Sequence, residues 1–183
     1  MTAMDFFAQW RVRLGYLLAI VVLWLARPTP RSILLGAALG AFGLWIRAYA
    51  AGYLRKQEVL TVSGPYARTR NPLYFGSSLL TLGAAVAMHS WWAAALLLIY
   101  FVLVYTLVMR REEMELRQQH GTAFDAYAAA VPLFFPRIRI SAEATATGKF
   151  SWAQYKKNHE YQAAFGYLLL LIALAVIWWL RLP

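Results

Sequence analysis

Residues 71–109 read NPLYFGSSLLTLGAAVAMHSWWAAALLLIYFVLVYTLVM, 39 positions in a row without a formal charge. As one helix the run would extend about 58 Å at about 1.5 Å per residue, nearly twice the ~30 Å hydrocarbon core of a bilayer. Its middle is broken only by the polar pair His89-Ser90. The pattern therefore predicts a helical hairpin folded at that pair, with spans at 72–88 and 91–109. Trp91 and Trp92 follow the turn directly, where amphipathic rings sit at headgroup level.

Working outward, three more apolar segments complete the set. Residues 161–180 are uncharged, about one bilayer long, and end in Trp178-Trp179 with Arg181 just beyond. Residues 32–54 carry Gly36, Gly40 and Gly43 on one side, which permits close backbone approach to a neighbouring helix. Residues 14–26 are short, and reach full length if Arg11, Arg13 and Arg27 extend their charged heads to the interfaces. The expected fold is an all-α integral membrane protein of about five transmembrane helices.

Composition agrees. The chain of 183 residues is 61% hydrophobic and 14% charged, against roughly 45–50% and 25% in soluble domains. Without cysteine there is no disulfide framework, thiolate metal site or cysteine nucleophile, and no metal-ligand set is read from the remaining residues. The net charge of +10 is distributed as topology rather than as a nucleic-acid surface. The N-terminal tail, the 55–71 loop and the 110–160 region hold 14 of the 18 basic residues and all eight acids. By the positive-inside rule these are expected in the cytoplasm, with the C-terminus on the opposite side.

Two cytoplasmic stretches exceed what spanning requires. In the first, Gly64-Pro65 signals a turn, and Asn71-Pro72 signals a helix start with Asn as cap and Pro at the first helical position. Tyr66, Arg68, Arg70 and Tyr74 crowd the same segment, where basic and aromatic residues also serve as plain interfacial anchors. In the second, Glu112 and Glu113 stand among arginines just past the fourth span. They fit helix-surface ion pairs, or a carboxylate turned inward to bind a cation or a sugar diol.

Together the stretches spell G-P-Y-x-x-x-R-N-P-x-Y-x-G and, about 35 residues on, E-E-x-x-L-x-x-x-x-G-x-x-F-x-x-Y-x-x-x-V-P. This resembles the integral-membrane methyltransferases, which include isoprenylcysteine carboxyl methyltransferases and phospholipid N-methyltransferases and share R-H-P-x-Y-x-G with a downstream E-E. The likeness runs from Gly43 to Pro132, half the chain. It implies a single methyltransferase domain over 1–183 that binds S-adenosylmethionine at the cytoplasmic membrane face and methylates a membrane lipid or prenylated acceptor. The absence of any Gly-x-Gly, and so of a Rossmann-type glycine loop, is consistent with that family.

Carried over by position, the resemblance implies that Tyr66, Arg70, Asn71, Pro72 and Tyr74 line the cofactor cleft, that Leu60 and Thr61 offer backbone contacts, and that one of Glu112 and Glu113 contacts the cofactor. The family histidine is Asn71 here, which keeps a capping and hydrogen-bonding amide but no titratable ring. The segment after Pro136 lies beyond the likeness.

The acceptor decides which further residues matter. A carboxylate is already ionised and needs a cation to position it; Arg47, inside the second span, fits that role, the alternative being an arginine that merely snorkels to the interface. An amine, such as a phosphatidylethanolamine headgroup, must lose a proton to a general base, for which Glu113, His159 and Glu160 are available. His159-Glu160 also reads as a polar juxtamembrane collar with Lys156 and Lys157. Rival readings are a sterol-type membrane reductase using a nicotinamide cofactor, and a small transporter or packing scaffold. The scarcity of charge within the spans and the lack of an inverted repeat count against the transporter. No feature of the sequence sets an oligomeric state.

Overall fold

The computed structural model describes residues 3–55, 59–138 and 148–182, with side chains from Leu14 onward. Parts of the two expected cofactor segments, 56–58 and 139–147, lie outside the described residues. Among those described, all regular structure is helical. The elements are α1 (Ala3–Leu25), α2 (Pro30–Tyr53), a 3₁₀ turn (Gly64–Ala67), α3 (Pro72–Met88), α4 (Trp91–His120), α5 (Thr122–Ala130), α6 (Trp152–Lys157) and α7 (Tyr161–Leu180).

Helices α2, α4 and α7 are long and apolar enough to cross a membrane. The other two expected spans are shorter apolar stretches, Leu14–Leu25 of α1 and Pro72–Met88. The hairpin turn falls at His89-Ser90: His89 adopts a left-handed φ of 48°, and the Ser90 carbonyl accepts from Ala94 N at 2.9 Å to start α4. Helix α4 does not stop at the membrane surface. It runs 30 residues to His120, about 45 Å, because residues 110–120 contain no Gly or Pro and Arg111 pairs with Glu115 one turn on at 2.8 Å. The paired acids therefore stand on the C-terminal part of α4 itself.

The chain divides into two compact units. One comprises Met1–Ala41, Ser78–Val108 and Gly166–Pro183. Its helices pack through small residues, as membrane helices do where lipid supplies no hydrophobic drive between them. A Cβ on Gly36 would lie 2.5 Å from the Gly83 carbonyl, and one on Gly83 would lie 2.5 Å from the Tyr167 hydroxyl. That hydroxyl donates to the Gly36 carbonyl at 2.9 Å, and Ser32 Oγ donates to the Ala87 carbonyl at 3.0 Å. Large apolar side chains such as Ile20, Leu34, Ile99 and Leu103 are exposed, the arrangement suited to a lipid solvent.

The second unit comprises Phe42–Ser77 and Met109–Phe165. It holds every residue of the two motifs.

Candidate functional site: a motif clasp, a buried polar cluster and an internal ion pair

The second unit begins with a backbone problem. The segment 60–71 has no helix of its own beyond one 3₁₀ turn, so its buried polar groups need partners elsewhere. The downstream motif supplies them. Tyr127 on α5 donates its hydroxyl to the Tyr66 carbonyl at 2.7 Å. Past Val131 the chain runs beside residues 68–71: Arg70 N donates to the Pro132 carbonyl at 2.9 Å and Arg137 N to the Arg68 carbonyl at 2.9 Å. Thr69, only 1% exposed, donates its hydroxyl to the Phe134 carbonyl at 2.9 Å. The F-x-x-Y-x-x-x-V-P residues thus act as a clasp, with Phe124 fully buried beneath it.

Asn71 belongs to the same clasp. Its side-chain amide donates to the Leu133 carbonyl at 3.0 Å, while its own carbonyl accepts from Phe75 N at 3.0 Å to open α3. A histidine ring N–H in the family pattern can make the same donation, so the exchange preserves the tie without a titratable group. Pro72 is buried at the first position of α3.

The clasp holds the upstream motif against α4. Tyr74, on the first turn of α3, donates to Glu112 Oε1 at 2.6 Å. Arg70 Nη1 lies 2.8 Å from Glu113 Oε1, both side chains about 15% exposed. That approach is an ion pair without hydrogen-bond alignment. Three buried atoms have no hydrogen-bond partner among the described residues: Tyr66 Oη, Arg70 Nε and Glu113 Oε1. Leaving a buried polar atom without a hydrogen bond costs about 1–3 kcal/mol, and all three belong to motif residues. Burial pushes the Tyr66 hydroxyl well above the usual tyrosine range, and Tyr127 and the Glu112, Glu160 and Tyr74 side chains add to the shift. Tyr66 is therefore a neutral donor.

These groups fit the S-adenosylmethionine that the motif resemblance implies. Arg70 Nε–H and the Tyr66 hydroxyl are donors fit for a carboxylate, and Glu113 Oε1 is an acceptor fit for an ammonium or a ribose hydroxyl. Leu60 and Thr61 are half-buried, and the Thr61 hydroxyl oxygen accepts from Arg55 N at 3.2 Å.

One helical turn further along α3 lies a second charged pair. Arg47 of α2 donates from Nε to Glu160 Oε2 at 3.0 Å and from Nη2 to Glu160 Oε1 at 2.8 Å. Its Nη1 donates to Ser77 Oγ and to the Leu73 carbonyl at 3.4 Å. The motif glycine makes room for this. A Cβ on Gly76 would lie 2.6 Å from Arg47 Cγ and 2.9 Å from the Gly43 carbonyl. The sequence offered Arg47 as an acceptor anchor and Glu160 as either base or collar; their pairing, and the part of Ser77, are additions from the structure. An arginine within a span requires a counter-charge, which was the available signal, but it does not name the acid.

His159 is not drawn into this pair. Its backbone is left-handed at φ 54°, and its exposed ring lies 3.1 Å from the Tyr161 hydroxyl. No group of three or more His, Asp or Glu placed to hold a metal ion occurs among the described residues.

Comparison with known proteins bears on these motifs. The chain is similar to the cobalt-zinc-cadmium resistance protein CzcN of Cupriavidus metallidurans, at 31% identity over 140 residues covering 72% of this chain and 63% of that protein. It is also similar to the nickel-cobalt-cadmium resistance protein NccN of Alcaligenes xylosoxydans xylosoxydans, at 31% identity over 118 residues covering 64% of this chain and 54% of that one. The matches thus span between half and two thirds of the length of these relatives. No solved structure matches. Residues 10–123, which carry the upstream motif, the hairpin and the paired acids, match the phospholipid methyltransferase family. The chain belongs to the phospholipid methyltransferase family.

Proposed function

We propose that the protein transfers a methyl group from S-adenosylmethionine to a lipid or prenylated acceptor embedded in the bilayer. The observation that carries this reading is the set of buried atoms without a hydrogen-bond partner on Tyr66, Arg70 and Glu113, in a chain whose family transfers methyl groups. Glu113 takes the amino group or a ribose hydroxyl, and Arg70 and Tyr66 take the carboxylate. Tyr74 holds Glu112 ready beside them, Asn71 and Pro72 fix the turn, and Leu60 and Thr61 lend backbone groups. A five-span arrangement with the N-terminus and both motif segments in the cytoplasm would put this cluster where a soluble cofactor and a lipid acceptor meet.

When bound, the sulfonium supplies a methyl group activated for in-line displacement. The acceptor's lone pair forms the new bond to carbon, the carbon–sulfur bond breaks, and its electrons stay on sulfur. The residues of this chain bind, align and exclude water. The acceptor is either a carboxylate, as in prenylcysteine substrates, or an amine, as in phosphatidylethanolamine, which loses its proton before or during transfer. The relatives named for metal resistance suggest lipid extracts from metal-challenged cells as the place to seek it.

The test is calorimetric titration of the purified full chain with S-adenosylmethionine, followed by transfer of labelled methyl to membrane lipid and alkaline treatment of the product. Volatile methanol marks an ester and resistant label marks N-methylation. Micromolar binding that is lost in Glu113→Gln supports the reading. No binding and no transfer to either acceptor refutes it.

A further inference from the structure

The arginine best placed to receive an acceptor carboxylate already holds one from its own chain. Glu160 takes both Nε and Nη2 of Arg47 in the two-point geometry that a substrate carboxylate would use. Ser77 and the Leu73 carbonyl take Nη1. Four donations leave little of the guanidinium for a ligand. The pair is sheltered, with side chains 17% and 10% exposed.

The approach of Glu160 is built into the fold. The last carbonyls of α2 lack helical partners, and the segment before α7 satisfies them. Ser151 N donates to the Gly52 carbonyl at 3.0 Å, Gln154 Nε2 to Leu54 at 2.6 Å, and Asn158 Nδ2 to both Ala51 and Leu54 at 2.9 Å. Phe150 lies where a Cβ on Gly52 would stand. His159, left-handed at the next position, turns the chain so that Glu160 meets Arg47 one turn below Ala51.

The pair also adjoins the proposed cofactor residues. Its α3 partners, Leu73 and Ser77, flank Tyr74, which holds Glu112. Glu160 and Glu112 both act on the buried Tyr66 hydroxyl. Glu160 lies outside the residues that match the family model.

We propose that Glu160 is a specificity-determining residue that fills the carboxylate seat of Arg47 from within, so that the site rejects carboxylate acceptors and methylates an acceptor lacking one at the reacting centre. This rests on the methyltransferase reading given above. Neutralising Glu160 should open the seat.

The experiment uses the full chain in detergent with a prenylated cysteine bearing a free carboxylate, its carboxamide, and an amine-headgroup lipid. Binding of the first two is measured without S-adenosylmethionine, so the outcome does not depend on turnover. The native protein is expected to bind the carboxylate no better than the carboxamide, and Glu160→Gln to bind the carboxylate at least tenfold better than the native protein does. With labelled cofactor, Glu160→Gln should gain alkali-labile transfer to the carboxylate acceptor. A tenfold preference of the native protein for the carboxylate overturns the proposal, and this arm needs no variant. A Glu160→Gln protein with native affinity for S-adenosylmethionine but no gain for the carboxylate overturns it equally. Failure of the underlying reading is a separate result: no cofactor binding by the native protein.

Discussion

Gly76 is expected to tolerate no side chain without cost, and Gly76→Ala measures how tightly Arg47 is seated. The added Cβ would meet Arg47 Cγ at 2.6 Å, the Gly43 carbonyl at 2.9 Å and Arg47 N at 3.2 Å. Carbon atoms rest at about 3.5–4.0 Å, so Arg47 Cγ must retreat by about 1 Å. Two of the three contacts are α2 backbone atoms, which no rotamer change relieves. Overpacking of this kind costs about 1–3 kcal/mol, against a helix-propensity gain of about 1 kcal/mol for replacing glycine. The net is a loss of up to about 2 kcal/mol. Gly166→Ala is the control, because a Cβ there meets nothing within 4 Å and keeps the propensity gain. The two variants should differ by about 1–3 kcal/mol in stability, several degrees in unfolding temperature at about 2–4 °C per kcal/mol. Methyl transfer should fall about a hundredfold in Gly76→Ala, the usual cost of a 1 Å misplacement near the reacting centre, and hold in Gly166→Ala. The assays are thermal unfolding of the detergent-solubilised protein and label transfer from S-adenosylmethionine. Equal unfolding temperatures and equal turnover for both variants would refute the reasoning.

Other outcomes follow from the same geometry. Tyr74→Phe removes the 2.6 Å bond to Glu112 and should weaken cofactor binding about tenfold, since a hydrogen bond to a charged group is worth about 1.5–3 kcal/mol; titration calorimetry reads it. His159→Gly should keep activity and fold, because glycine adopts φ 54° without strain, whereas loss of turnover with a native fold would make the imidazole a chemical participant. Tyr66 has a raised pKa in the folded chain, so its contribution to stability is complete below the unfolded value of about 10 and is lost as pH rises through the folded one. The unfolding temperature should accordingly drop more steeply above pH 10 in the native protein than in Tyr66→Phe.

Much of this architecture is local in origin and was legible for that reason. The uncharged run interrupted at His89-Ser90 fixes a hairpin whatever its surroundings, since bilayer thickness limits each arm. The glycines at 36, 40 and 43 announce close helix contacts, which the structure supplies from Gly83 and Gly76. Sequence pattern is silent on partners distant along the chain. Asn71 before Pro72 looks like a cap, yet its amide also reaches Leu133, 62 residues away. Arg47 in a span demands an anion, but Glu112, Glu113 and Glu160 meet that demand equally on paper, and only the staple of α2 to residues 151–158 selects Glu160. The run of α4 to His120 was hidden by the assumption that a helix ends where the hydrocarbon does.

The clasp formed by Tyr127 and residues 132–137 separates the unit of recognition from the unit of folding. The match to the family model ends at residue 123, just before the residues that bond the Tyr66 carbonyl, Thr69, the Arg70 amide and Asn71. A protein ended at Ala123 would retain the upstream motif and the paired acids and lose what shapes them. Swaps between relatives should therefore exchange 60–76 and 124–137 together, as two halves of one inherited part.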